Sequence, residues 1–235
     1  MASKGLNRQG RVPVQADVLI VGLAGPSGSG KSTVAKRVAS RLNGQVISME
    51  NYSLDMNHLP LEERAKLDYD APNATDVKLL ASQIRDYASG NAIDAPICDF
   101  AKHLRVSDRR EHIPVTSLLI VEGILALHFA ELRPLFDLSI YLEAPDEICF
   151  HRRKVRDITD RQRSLEFILW QYKNNVLPAT LQYALPSKRY ADLVLESTAI
   201  LPAVEKSLYD AIVARRALLA GMHQSATRVR CDVER

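Results

Sequence analysis

Short runs rich in Val, Ile and Leu recur along the chain at 17–24, 45–49, 117–121, 138–142 and 192–195. Each has strand length and is apolar at successive positions, the pattern of a parallel strand covered on both faces. Segments with helical spacing separate them, at 31–42, 76–88, 125–135, 145–157, 164–185 and 203–219. The alternation predicts an α/β fold, a five-stranded parallel sheet with helices on both faces. Two stretches break the rhythm. Residues 51–75 are polar, with two prolines and several acids, too long for a simple connection and so a functional loop or short-helix insertion. In the second, about 90–116, Ile93, Ala95 and Ile97, then Ile113 and Val115, alternate with polar residues, which predicts an inserted β-hairpin.

Composition narrows the class without naming a chemistry. With 235 residues, 46% of them hydrophobic, the chain can bury a sizeable core, and disorder is excluded. Lys and Arg number 31 against 28 Asp and Glu, an excess of three, too small to argue for nucleic acid or a polybasic membrane anchor. No apolar run approaches the roughly 20 residues of a membrane span. Cys98, Cys149 and Cys231 are far apart and odd in number, which fits neither a disulfide framework nor a CxxC metal site and suits a reducing cytoplasm. Residues 1–15 read as a flexible arm, 16–222 as the folded domain and 223–235 as a C-terminal tail.

The first chemistry-bearing motif is Gly25-Pro26-Ser27-Gly28-Ser29-Gly30-Lys31-Ser32-Thr33, which satisfies G-x-x-x-x-G-K-[ST] between a strand pattern and a helix pattern. Glycines let successive backbone N–H groups turn inward around phosphate oxygens, the helix start adds its positive end, and Lys31 supplies a mobile charge. This predicts a P-loop NTPase fold that binds ATP or another nucleoside triphosphate. Ser32 is placed to ligate Mg²⁺, and Glu122, ending the apolar run 118–121, is the acid expected to position that metal at the carboxyl edge of the sheet.

Beyond this motif the blocks Val46-Ile47-Ser48-Met49-Glu50-Asn51-Tyr52, Asp68-Tyr69-Asp70-Ala71-Pro72, Asp99-Phe100-Ala101-Lys102-His103, Val121-Glu122-Gly123-Ile124-Leu125-Ala126 and Lys188-Arg189-Tyr190-Ala191-Asp192 occur in this order. Together they resemble the uridine/cytidine kinase family, within the wider uridine kinase and phosphoribulokinase group. The resemblance implies phosphorylation of the 5′-hydroxyl of a pyrimidine ribonucleoside by ATP. It also implies a homo-oligomer, with a tetramer as the form, and no nucleic-acid or membrane partner. It assigns Glu50 as catalytic base and metal neighbour, where the family carries an aspartate. Asp70 would hold the ribose hydroxyls, with Tyr69, Cys98, Phe100, His103, Ile124 and Gln171 around the acceptor. Cys98 and Ser53 stand where tyrosines are usual, and Ala71 where a histidine is.

Residues 152–163 hold six cations, among them Arg153, Arg156, Arg161 and Arg163, with the acids Asp157 and Asp160. Alone, such a run is most simply a solvated helix face. Under the resemblance, 151–164 is a lid: Arg153 and Arg156 act on the transferring phosphoryl, while Arg161 and Arg163 grip the triphosphate through bidentate contacts. Two alternatives stay open: a kinase for another nucleoside or sugar-type alcohol, and a nucleotide-binding regulatory protein with weak turnover.

Overall fold

A computed structural model describes residues 18–198 and 201–233, so the N-terminal arm lies outside the described residues. The chain runs through β1 (Leu19–Ala24), α1 (Lys31–Arg41), β2 (Gln45–Ser48), α2 (Leu61–Arg64), α3 (Val77–Ala88), β3 (Ile93–Asp99), β4 (Leu104–Ile113), β5 (Leu118–Glu122) and β6 (Leu138–Glu143). It continues through α4 (Asp146–Thr159), α5 (Leu165–Gln171), α6 (Leu177–Ala179), α7 (Leu185–Ser187), β7 (Leu193–Glu196) and α8 (Leu201–Val233). Five parallel strands form one sheet in the order β2-β5-β1-β6-β7. Each strand of the central trio β5, β1 and β6 is almost wholly buried, which explains why their sequences show no polar alternation.

The two faces of the sheet bury different partners. On one, Leu19, Val21 and Leu23 meet Val34, Ala35 and Val38 of α1 and Val204, Leu208 and Ile212 of α8. On the other, Ile20 and Leu119 join Leu80, Ile84 and Tyr87 of α3 and Ile93, Ala95 and Ile113 of the hairpin. The hairpin β3–β4 is antiparallel, with a register shift between Pro96 and Ile97. Proline lacks the N–H that a ladder needs there, so the irregularity falls where pairing is interrupted anyway. It is anchored from behind by the Tyr87 hydroxyl, which donates to the Pro114 carbonyl at 3.0 Å and accepts from the Thr116 N–H at 2.8 Å.

Two expectations need correction, and a third needs refining. The helix expected over 125–135 is a series of turns ending in a 3₁₀ turn at Arg133–Leu135. Leu125, Ala126 and Leu127 are buried in succession, which one face of a helix cannot do, and Pro134 contributes no N–H. The stretch expected as a C-terminal tail continues α8, whose backbone is helical to Val233. The helix expected over 164–185 is present but uneven: π-helical turns at Tyr172–Val176 and Thr180–Ala184 separate α5, α6 and α7. Pro178 and Pro186, each just beyond such a turn, lack the N–H of a regular α ladder, and the wider turns accommodate the missing bonds.

One of the two tightest backbone approaches lies between the loop after β1 and α4. A Cβ at Gly28 (φ +86°) would stand 2.2 Å from the Cys149 carbonyl oxygen. Gly28→Ala should therefore lower thermal stability by about 2 kcal/mol or more, read as a fall in Tm by circular dichroism. An unchanged Tm would mean that α4 yields at no cost.

Candidate active site

The loop after β1 is a cradle of backbone groups. Gly25, Gly28 and Gly30 all adopt positive φ, at 147°, 86° and 98°. The Pro26 carbonyl accepts from the Ser29 N–H at 3.1 Å and from Lys31 Nζ at 2.9 Å, so Lys31 is folded back over its own loop. Burial lowers the Lys31 ammonium below the ordinary lysine range, against the attraction of Glu122 and Glu50. Behind the loop, the Ser29 carbonyl accepts from Ser197 Oγ at 2.6 Å and Arg152 Nη1 at 3.4 Å, while its hydroxyl is buried inward. Thr33 is exposed on the first turn of α1.

Ser32 Oγ, one position earlier, donates to Glu122 Oε1 at 3.0 Å. Glu122 is 3% exposed at the end of β5, and burial raises its carboxyl above the usual range, with Lys31 opposing. Among the described residues no group of three or more His, Cys, Asp and Glu could hold a metal unaided. A hydroxyl and one carboxylate beside a phosphate cradle instead fit a hard cation of the Mg²⁺ type, which keeps waters and takes phosphate oxygens as further ligands.

Next to the cradle opens a pocket lined by residues from five separate segments. Glu50 comes from the 3₁₀ turn after β2, Tyr69 and Asp70 from the 51–75 insertion, Cys98, Phe100 and His103 from the hairpin, Ile124 from the turn after β5, and Arg153, Arg161, Arg163 and Gln171 from α4 to α5. All the expected acceptor residues therefore meet in one place. His103, at the hairpin tip with φ 49°, stacks on Tyr69 with ring centroids 5.5 Å apart, and the Tyr69 hydroxyl donates to its carbonyl at 3.2 Å. Arg163 Nη2 lies 3.2 Å from His103 Nε2. A guanidinium can only donate, so Nε2 accepts and Nδ1 carries the proton. Burial and the neighbouring arginines hold His103 down at about 4, which keeps it neutral at pH 7.

The two Tyr-replacing side chains face inward. Cys98 Sγ donates to the Asn51 carbonyl at 3.3 Å, and Ser53 Oγ donates to the Glu50 carbonyl at 2.9 Å. Burial pushes the Cys98 thiol up to about 11. Asp70 is likewise shifted upward by burial, against Arg153 and with Glu50 adding to the rise. Arg105, also in the lining and paired with Asp76 Oδ2 at 3.3 Å, is a pocket residue that sequence reasoning missed.

The arginines expected as a lid converge on a residue not singled out, Asp157. Its side chain is 0% exposed, and it is approached by Arg156 Nη2 at 2.8 Å, Arg163 Nη1 at 3.2 Å, Arg153 Nε at 3.6 Å and Arg161 Nη1 at 3.7 Å. Arg153 also donates to Ser27 Oγ at 2.7 Å and to Gln171 Oε1 at 3.0 Å, joining cradle, lid and pocket. Arg161 reaches the other way: Nη2 is 3.1 Å from Glu50 Oε2, and its guanidinium lies 4.7 Å from the Phe100 ring centroid. Four guanidinium groups thus gather around Asp157 and Glu50, with Asp70 the further carboxyl acting on them, a formal excess of one positive charge. Such an excess suits a polyphosphate.

A glycine-rich loop at the carboxyl edge of a parallel sheet, with Lys31 folded over it, an acid at the neighbouring strand end and four converging arginines, defines a P-loop kinase of the α/β type. Residues 20–201 match the phosphoribulokinase/uridine kinase family, and the chain belongs to it. A uridine kinase from Clostridium tetani is 41% identical over 180 residues, covering 75% of this chain and 86% of that protein. One from Shewanella amazonensis is 40% identical over 184 residues with the same coverage. Among solved structures, the phosphoribulokinase of Rhodobacter spheroides superposes with a TM-score of 0.54 at 13% identity, over 77% of this chain and 70% of the other, a likeness of fold.

The charge arrangement makes a titration testable. Burial alone would raise the Glu50 carboxyl, but Arg161, then Arg156 and Lys31, outweigh it and hold it at about 2, below its ordinary 4.5. A depressed carboxyl stabilises the fold fully above about 4.5, and that contribution is lost as pH falls toward 2. Glu50→Gln should therefore flatten the pH dependence of Tm between about 5 and 2, and Arg161→Met should move the Glu50 carboxyl ¹³C titration upward. A Glu50 midpoint unmoved by Arg161→Met would refute the pairing.

Proposed function

We propose that this protein transfers the γ-phosphoryl group of ATP to the 5′-hydroxyl of a pyrimidine ribonucleoside, uridine or cytidine. The observation that carries the reading is the meeting of Glu50, Tyr69, Asp70, Phe100, His103 and Gln171 in one pocket beside the phosphate cradle and the arginine lid. In-line phosphoryl transfer asks a protein chiefly to align the two oxygens and to balance charge on the moving group, and these residues divide that work. The uridine kinases at about 40% identity support the same acceptor.

The roles are those the family resemblance implies, and the geometry is compatible with them. Gly25, Ser27, Gly28, Ser29 and Gly30 form the loop that would wrap the phosphates, with Ser32 and Thr33 on the helix turn that follows. Lys31, released from the Pro26 carbonyl, would follow the β- and γ-phosphates. Ser32 and Glu122 would hold Mg²⁺, which when bound supplies positive charge across the phosphate oxygens. Glu50 would accept the 5′-hydroxyl proton; its ionised form is the one the surrounding cations favour. Asp70 accepts from a vicinal diol. The base would lie against Phe100, with His103 Nδ1–H aimed at a carbonyl acceptor and Gln171 held by Arg153 and Arg163. Arg153 and Arg156 would neutralise charge on the transferring phosphoryl, and Arg161 and Arg163 would close over the triphosphate.

One observation favours a second reading, a kinase for a different alcohol. Cys98 and Ser53 spend their hydrogen atoms on backbone carbonyls and present little aromatic surface, so the base end of the pocket is less specific than a pair of tyrosines would make it.

Coupled detection of ADP with a panel of nucleosides and sugar phosphates decides between the two. The first reading expects uridine or cytidine to be the best acceptor; a faster turnover on any non-pyrimidine acceptor would replace it. On the best acceptor, Glu50→Gln should cut kcat by roughly two to four orders of magnitude with little effect on ATP binding, and Glu50→Asp should retain activity. Near-full activity of Glu50→Gln would remove it as the base. Asp70→Asn should raise the acceptor KM at least about tenfold while leaving the ATP KM within about twofold, and an equal rise in both would move Asp70 away from the ribose.

A further inference from the structure

Asp157 lies at the centre of the lid, on the last turns of α4, and the contacts of its carboxylate are with arginines. It is fully buried, and its guanidinium partners in turn reach residues assigned to the acceptor. A buried carboxylate is expensive unless matched, and one that gathers four cations is not explained by charge neutrality alone, since one partner would suffice. The arrangement is directional. Arg153 and Arg156 rise from α4, Arg161 and Arg163 come from the turn beyond it, and Gln162 between the latter two takes the left-handed conformation at φ 53°. The Arg163 N–H donates to the Asp157 carbonyl at 3.0 Å. A strained residue and a backbone bond thus fold the turn back so that both flanking arginines return to the same carboxylate.

We propose that Asp157 is a positioning residue for phosphoryl transfer: it clips Arg153, which reaches both cradle and pocket, Arg161 and Arg163, which line the pocket, and Arg156 into one fan, setting the geometry of both substrates together. The inference rests on the kinase reading of the site. Arg153 connects to Ser27 of the cradle, Arg163 to His103 and Phe100 of the hairpin, and Arg161 to Glu50, so the carboxylate is the one group common to all three connections. A displacement on the order of 1 Å at a positioned group can cost roughly a hundredfold in rate.

The test is Asp157→Glu, which keeps the charge and lengthens the arm by one methylene, with Asp157→Asn beside it. Asp157→Glu should keep its Tm within a few degrees and lose about tenfold to a hundredfold in kcat on uridine, with KM for ATP and for uridine changed together. Asp157→Asn should lose more. A kcat within about twofold of the parent for Asp157→Glu overturns the proposal. Should Asp157→Asn fail to fold, the cycle is run with Asp157→Glu. Combined with Arg161→Met and with Arg163→Met, the loss should fall at least about tenfold short of the product of the single losses, because an arginine already out of place has less left to lose. Losses that multiply assign Asp157 a purely structural role. If the unsubstituted protein phosphorylates no nucleoside, the kinase reading fails on its own, and the same cycle is read on ATP binding by calorimetry, where multiplying losses again overturn the positioning role.

Discussion

Two backbone carbonyls leave no room for a side chain at Gly25 or at Gly28 in the loop after β1, and the rest of the site is built from that contact. A Cβ at Gly25 would stand 2.2 Å from the Leu142 oxygen, and one at Gly28 equally close to the Cys149 oxygen. The cradle is therefore pressed against the end of β6 and the first turn of α4. The helix that pins the loop also carries Arg153, Arg156 and Asp157 farther along the same rod, so the distance from phosphate loop to lid base is set by helix geometry and not by a flexible linker. Rigid backbone thus lies on one side of the site, and long cationic side chains lie on the other.

Carboxylates in and around this site divide into two electrostatic kinds. Burial pushes Glu122 and Asp70 upward, since neither has a close cationic partner strong enough to compensate, whereas at Glu50 and Asp157 the effect of burial is outweighed by arginines that draw both downward. The first kind stands where a bound cation or a hydroxyl-rich ligand would supply the missing compensation. The second kind is already compensated by the chain itself. At Glu50 the compensation comes from Arg161, on the turn beyond α4, so a movement of that turn would be felt at this carboxylate.

Much of this was legible in the sequence because it rests on spacing. The buried strands appear as unbroken apolar runs, the cradle as glycines at fixed intervals before Lys31, and the hairpin as alternation around Ile93 and Ile113. The family-resembling blocks single out residues, distant in the chain, that the structure brings to one pocket. What spacing could not show is burial of a charge. Asp157 among arginines reads as one more polar position on a solvated helix face, and only its complete exclusion from water marks it as a hub. The turns over 125–135 were hidden for the converse reason, since three successive apolar residues satisfy a helical pattern loosely while being buried on several sides. Arg105 escaped because nothing in its neighbourhood on the chain signals that β4 faces the pocket.

The order of the sheet also has a bearing on how the protein is made. β1 leaves the ribosome well before its two neighbours, which begin at Leu118 and Leu138, about a hundred residues later. The loop that follows β1 acquires the carbonyls that hold it only when Leu142 and Cys149 have been synthesised. At elongation rates of roughly 5–20 residues per second, several seconds pass with an apolar central strand unpaired, while the β3–β4 hairpin closes on local contacts. Nucleotide cannot assist folding during that interval, because the cradle it would occupy is not complete until Cys149 has emerged.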